Sequence, residues 1–211
     1  MDVAIIDYGM SNLHSVQAAC HKVGLSSVIT ADAEQILDEK IAILPGVGAF
    51  GEAMSHLSDS KLDKCIRRFV ESGRPFIGIC LGLQLLFESS EEFGNHSGLG
   101  LIKGSVRKFR FNMTGDTRYP VPQVGWNRVH QNGSSWQDSL LRNNRSGDFM
   151  YFVHSYFVEP EDEKVVLATT TYGDQEYCSV LQHNNIFATQ FHPEKSGTTG
   201  MKVYQQLKDN M

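Results

Sequence analysis

The sequence predicts an α/β protein with a mostly parallel central sheet, helices on both of its faces and antiparallel additions in the second half. Three observations carry this. Apolar runs of four or five residues recur through the first 80 positions without the apolar–polar alternation of a half-exposed strand, as buried parallel strands require. Stretches with helical spacing and helix-end signals lie between them. Beyond about residue 100 the chain reads instead as strands joined by turns.

Residues 3–7 (VAIID) are apolar up to a terminal acid and form the first expected strand. Ser11 or Asn12 can cap the following helix, in which Leu13, Val16, Gln17 and Cys20 recur at helical spacing and Gly24 marks the stop. A strand is expected at 27–29, a short helix at 33–37 and a third strand at 41–44, broken by Pro45-Gly46. Leu62, Cys65, Ile66, Phe69 and Val70 share one face of an amphipathic helix ending near Gly73, and 76–79 make a fourth strand. In the second half, strands are expected at 101–106, 126–129, 151–156, 165–168, 179–182 and 186–190, either added antiparallel to the sheet or forming a small side sheet. The polar segment 131–148 reads as loop plus one short helix, and a last helix spans about 198–207.

The 211 residues are 41% hydrophobic and 20% charged, with a net charge of −5. This suits one soluble domain over 1–211. The mild negative charge and the lack of a basic cluster argue against a nucleic-acid partner. No apolar run approaches the roughly 18 residues of a membrane span. The acidic start is unlike a signal peptide, so a cytoplasmic protein is expected. Cys20, Cys65, Cys80 and Cys178 form no C-x-x-C pair and suit neither a zinc site nor a disulfide framework, and nothing in the sequence calls for a metal or a cofactor.

The sharpest local signal is Gly78-Ile79-Cys80-Leu81-Gly82, a G-x-C-x-G at the end of an apolar strand, followed by the apolar helix expected at 83–87. It is the cysteine version of a nucleophile elbow. The turn from strand to helix is sharp, so the flanking positions need glycine. The thiol then projects at the carboxyl edge of the sheet, where the helix start favours a thiolate and the Leu81 N–H faces a developing oxyanion. A small core cysteine between two packing glycines is the competing reading of the pentapeptide. Pro45-Gly46-Val47-Gly48 follows the third strand and could turn a second N–H toward the same point, although taken by itself the loop reads better as a plain strand-to-helix turn. Near the chain end, Gln190-Phe191-His192-Pro193-Glu194 sets a histidine two residues from a carboxylate that can orient it, the arrangement a thiol nucleophile needs. His154 has no such partner and reads as structural.

These three motifs, in this order, resemble class I, or triad-type, glutamine amidotransferases. In that family the elbow cysteine is the nucleophile and a late H-x-E supplies the base and its orienter. Asp7-Tyr8-Gly9, Asn12-Leu13, Gly125-Trp126-Asn127, Tyr151-Phe152-Val153-His154-Ser155-Tyr156 and Lys195-Ser196-Gly197 extend the resemblance along the chain, to the branch that serves a (β/α)8-barrel cyclase subunit in histidine biosynthesis. The resemblance implies a flavodoxin-like fold and a glutaminase with Cys80, His192 and Glu194 as its triad. It implies an oxyanion site at Val47, Gly48 and Leu81, and glutamine contacts at Gly48, Gln84, Glu92, Ser155 and Tyr156. It implies a cyclase contact at Asn12, Trp126, Tyr151 and Lys195. With the glutaminase machinery spread over 211 residues, the ammonia acceptor is expected on another polypeptide, making a heterodimer. A paralogous subunit feeding a sugar-modifying synthase, a γ-glutamyl hydrolase and a non-enzymatic thiol protein remain open readings at this point.

Overall fold

The computed structural model describes residues 1–111 and 119–210. The first half runs β1 (Val3–Ile6), α1 (Leu13–Lys22), β2 (Ser27–Thr30), α2 (Ala33–Asp38), β3 (Ile41–Gly46), α3 (Phe50–Asp59), α4 (Leu62–Glu71), β4 (Phe76–Cys80) and α5 (Leu81–Leu85). The second half runs β5 (Phe87–Ser90), β6 (His96–Ser97), β7 (Ile102–Lys108), β8 (Gln123–Gln131), β9 (Asp148–His154), β10 (Tyr156–Pro160), β11 (Val166–Tyr172), β12 (Gln175–His183), β13 (Ile186–Thr189) and α6 (Gly197–Asp209). Among the described residues these strands join one sheet in the order β2-β1-β3-β4-β13-β12-β10-β7-β5-β6, with β11, β8 and β9 branching from β12.

The strands β2-β1-β3-β4-β13 are all parallel. This is the strand order of a flavodoxin-like doubly wound sheet, whose ligands bind outside the carboxyl ends of the strands. The uninterrupted apolar runs have a direct cause in burial on both faces. Val3, Ile5, Ile41, Ile43, Ile77 and Ile79 pack with Val16 and Cys20 of α1 and Val203 and Leu207 of α6. Their alternates Ala4, Ile6, Ala42, Leu44 and Phe76 pack with Ile36, Phe50, Leu57, Ile66 and Phe69 of α2, α3 and α4. Period-two geometry sends successive side chains to opposite faces, so a strand covered on both must be apolar throughout.

Several elements differ from the sequence reading. Pro45 does not break the third strand: β3 runs to Gly46 and stays paired with β4, Pro45 opposite Ile79 and Gly46 opposite Cys80. The β1 pairing ends at Ile43, so the missing proline N–H falls where that neighbour has gone. The helix expected at 83–87 is the five-residue α5, beginning at Leu81, and Phe87 already opens β5. Leu83, Leu85, Leu86 and Phe87 are all fully buried, a pattern that periodicity cannot divide between helix and strand. Helix α3 had no counterpart in the sequence reading, although Phe50, Ala53 and Leu57 lie on one buried face. The expected helix within 131–148 is absent; that stretch is turns held by Trp136 Nε1 donating to the Leu167 carbonyl at 3.0 Å. The strand expected at 151–156 is two, β9 and β10, bent apart at Ser155. The last expected strand, β13, belongs to the parallel block rather than to the antiparallel additions.

Candidate active site

Cys80 is the last residue of β4 and holds φ 55° and ψ −107°. A non-glycine residue there is strained by about 1–3 kcal/mol, and it persists only where its surroundings over-determine it. Gly82 supplies part of that constraint. A Cβ on Gly82 would collide with the Leu44 carbonyl oxygen of β3, and one on Gly78 would lie 3.0 Å from the Gly82 carbonyl oxygen. The two glycines let α5 press against the strands backbone to backbone, and the close approach forces the sharp turn at Cys80.

The thiol opens into a cavity of about 240 Å³. Val47, Gly48 and Leu81, the expected oxyanion residues, line it. So do Gln84, Glu92, Ser155 and Tyr156, the expected glutamine contacts. A larger hollow of about 310 Å³, lined by Ile41, Phe76 and Ile186 among others, lies at the opposite, amino-terminal edge of the same strands. No nucleophile–base pair lies in it, and the chemistry singles out the smaller cavity.

His192 follows β13, and its Nδ1 lies 2.7 Å from Glu194 Oε1, with side chains only 3% and 2% exposed. His192 itself has an extended backbone, but Glu194 does not continue it. Pro193 starts a 3₁₀ turn over Pro193–Lys195 that folds the carboxylate back under the ring. The backbone holds the ring in place: His192 N–H donates to the Tyr151 carbonyl at 3.0 Å, and Ser196 Oγ donates to the His192 carbonyl at 2.6 Å. His192 Nε2 is buried with no hydrogen-bond partner, and Cys80 acts electrostatically on the ring together with Glu194. Burial works against the imidazolium, yet the Cys80 thiolate and Glu194 outweigh it and push the His192 pKa up to about 10.

The folded-state value lies above that of an unfolded histidine. The stability this proton contributes is therefore fully present below about pH 6.5 and is lost as pH rises through about 10. In Cys80→Ala the thiolate is gone, and the His192 titration is expected to move down from its wild-type position. Imidazole NMR signals followed against pH measure this; an unmoved midpoint refutes the thiolate–imidazolium pairing. His154 behaves oppositely. Fully buried, with ring nitrogens at 2.8 Å from the Tyr156 carbonyl and 3.3 Å from the Tyr177 hydroxyl, it is held down to about pKa 4 by desolvation and stays a neutral structural group.

The Val47–Gly48 loop, the expected oxyanion segment, has a definite geometry. Val47 N–H donates to the Met10 carbonyl at 3.1 Å and is engaged there. Gly48 holds φ +108°, and a Cβ there would lie 2.6 Å from Met10 Cε. Leu81 N–H, at the first turn of α5, has no intrahelical acceptor and is free to face an oxyanion. Met10 had no role in the sequence reading. The pairing crosses from the loop after β1 to the loop after β3, so no local pattern could reveal it.

Deeper in the cavity, Gln84 Nε2 donates to the Tyr156 carbonyl at 2.9 Å and to Gln190 Oε1 at 3.2 Å. Glu92 accepts the Phe50 N–H at 2.6 Å, at the start of α3. Burial raises the Glu92 pKa, and this hydrogen bond opposes the rise. The expected partner residues gather on one exposed surface beside the triad. Trp126 on β8 is 55% exposed and meets Tyr151 of β9 edge-on at 6.2 Å between ring centroids. Lys195 is exposed on the 3₁₀ turn, against which α1 packs, and Asn12 is exposed at the start of α1. Asn12 Oδ1 accepts the Ser15 hydroxyl at 3.0 Å rather than a backbone N–H, so it occupies the cap position without capping. Among the described residues no helix is long and apolar enough to cross a membrane.

A thiol on a strained elbow, a carboxylate-held imidazole and a flavodoxin-like sheet define a triad-type amidotransferase site. A family model described as glutamine amidotransferase class-I matches residues 4–208, and the chain belongs to that family. Its curated relatives include the imidazole glycerol phosphate synthase subunit HisH of Aquifex aeolicus, 45% identical over 209 residues, 99% of this chain and 96% of the relative. The HisH subunit of Bacillus subtilis is 43% identical, over 97% of this chain and 94% of the relative. Among solved structures, PurLQS from Thermotoga maritima aligns with a TM-score of 0.73 at 20% identity, over 99% of this chain and 98% of that one. At that identity the likeness concerns the fold.

Proposed function

We propose that this chain is the glutaminase subunit of an imidazole glycerol phosphate synthase, releasing ammonia from glutamine for a HisF-type (β/α)8-barrel cyclase subunit. The observation that carries the glutaminase reading is the Cys80–His192–Glu194 arrangement, with Cys80 opening into the cavity and the His192–Glu194 pair buried behind it. The pairing with this synthase is supported by HisH relatives at 43–47% identity over nearly the whole chain. The product of the assembled enzyme is then imidazole glycerol phosphate, with an aminoimidazole carboxamide nucleotide as co-product.

The chemistry is acyl transfer. Cys80 thiolate attacks the side-chain carboxamide carbon of glutamine, and the carbonyl electrons move onto oxygen. Leu81 N–H and the Val47–Gly48 loop receive that oxyanion. His192, protonated at rest, gives its Nε2 proton to the departing nitrogen, and ammonia leaves a γ-glutamyl thioester on Cys80. His192 then takes a proton from water, whose oxygen attacks the thioester. Glutamate departs, and the thiolate–imidazolium pair is restored. Glu194 orients the ring and stabilises its charge. Gln84, Glu92, Ser155 and Tyr156 hold the amino-acid end of glutamine. Trp126, Tyr151, Lys195 and Asn12 meet the cyclase, with Trp126 as an aromatic anchor.

The resting loop explains how such an enzyme avoids wasting glutamine. With Val47 N–H engaged by Met10, the oxyanion has one backbone donor instead of two. Turning the peptide before Val47 would supply the second. One such donor is worth about 10²–10³ in rate. Glutamate release by the chain alone is therefore expected to be slow, and to rise by about that factor on adding the cyclase subunit with its nucleotide ligand bound. Equal turnover with and without the cyclase defeats this regulation. A chain that hydrolyses glutamine but is activated by a sugar-modifying synthase, and not by the cyclase, transfers the assignment to that paralogous system.

A further inference from the structure

Gln190 is fully buried, sits two residues before His192 and has no role in the mechanism above. Its side-chain Nε2 lies 3.7 Å from Cys80 Sγ, and its Oε1 lies 3.2 Å from Gln84 Nε2. The two ends of an amide are told apart only by their partners, and here the partners leave no choice. Gln84 reaches the Tyr156 backbone carbonyl at 2.9 Å, an atom that can only accept, so the Gln84 end there is its NH₂ group. That same NH₂ group faces Gln190, which must therefore present its oxygen to Gln84. The Gln190 NH₂ is then the end turned to the sulfur.

We propose that Gln190 is a further catalytic residue: it donates Nε2–H to Sγ of Cys80 and so favours the thiolate, while Gln84, anchored on Tyr156, locks the amide in the donating orientation. The inference rests on Cys80 being the nucleophile and adds a donor to the sulfur, which also lies 3.8 Å from the Val153 carbonyl oxygen. It also links the cavity wall to the nucleophile. A ligand that draws Gln84 away from Gln190 loosens the amide whose other end holds the sulfur.

The other titratable groups acting on Cys80 are His192, Tyr8 on the loop after β1 and Tyr177 on β12, and none is altered by changing Gln190. The test uses the full chain and iodoacetamide, with the pH dependence of alkylation rate as the readout and a Cys80→Ala control subtracting the other three thiols. Gln190→Leu removes the donor. Gln190→Glu is nearly isosteric, keeps an acceptor for Gln84 and replaces the donor with a like charge. The half-maximal pH of Cys80 alkylation is expected to rise by about one unit in the first, the scale of one charge-assisted hydrogen bond, and by more in the second. In the cyclase complex, kcat should fall with the thiolate fraction at neutral pH and recover at higher pH. A merely structural Gln190 would lower the unfolding temperature without moving the alkylation midpoint, and that result in the Glu variant overturns the proposal. Wild-type protein that shows alkylation at Cys80 but no glutamine hydrolysis with any synthase partner would instead remove the glutaminase reading and leave the hydrogen bond standing.

Discussion

Replacing Cys80 with serine is expected to abolish glutamine hydrolysis by the assembled enzyme, by about four to six orders of magnitude, while the chain still unfolds as a cooperative unit. The size follows from the geometry. His192 and Glu194 are arranged around a thiolate, and a serine hydroxyl in its place carries no charge at neutral pH to hold the imidazolium that donates to the leaving nitrogen. The residue sits at a turn set by Gly78, Gly82 and Leu44, none of which the substitution touches, so the fold has no reason to change. Glutamate release measures the loss, and synthesis with ammonia supplied in solution separates a lost nucleophile from a damaged complex. Ammonia-dependent synthesis should persist, because the acceptor chemistry lies on the other subunit. Wild-type glutaminase activity in Cys80→Ser sinks the nucleophile assignment.

Gly82→Ala carries the second large effect, through packing. The new methyl meets the Leu44 carbonyl oxygen, a backbone atom of β3 held between β1 and β4, with the Leu44 carbonyl carbon at 2.9 Å. Neither side can yield without moving a central strand, so a stability loss of about 2–4 kcal/mol is expected. Activity should fall at least about 100-fold even below the unfolding temperature, because a displacement of about 1 Å at the elbow misaligns Cys80 from His192. Gly73→Ala is the control. Gly73, unlike Gly82, has a left-handed φ, +78°, but nothing lies within 4 Å of its added Cβ, so only the conformational cost of about 1 kcal/mol applies. Thermal unfolding and glutaminase assays of the pair settle the point: equal losses in both would mean that the approach of α5 to β3 adds nothing to the cost of an ordinary glycine substitution.

The elements legible in the sequence were those whose burial leaves a one-dimensional trace. The runs 3–6, 41–44 and 76–79 are apolar at every position because helices cover both sheet faces, and α4 shows its stripe because only one face is covered. Where burial is complete the trace disappears. Residues 83–87 read as one helix, but neighbours in space divide that stretch between α5, which begins at Leu81, and β5, which opens at Phe87. Pro45 looked like a strand end because its tolerance depends on where β1 stops, which the local sequence does not contain. The polar 131–148 segment reads as loop plus one short helix, whereas its buried residues Trp136, Leu140 and Leu141 plug a turn region against other elements.

The active site divides in the same way. The elbow and the His–Glu pair are local devices: glycines around a sharp turn, and a proline that folds a carboxylate under its histidine. Their residue types and spacing follow from backbone geometry over a few positions, so the sequence by itself could single out Cys80 and the His192–Glu194 pair as candidates for one chemical unit. The placement of the donors was decided by contacts between distant loops. Met10 holds Val47 N–H from 37 positions away, and Gln84 orients Gln190 from 106 away. A hydrogen bond between segments brought together only by sheet order leaves no periodic mark on either one. The sequence therefore pointed to the groups proposed to react, and only the tertiary structure decided that the Val47 N–H is held by Met10 and that a buried amide faces the sulfur of Cys80.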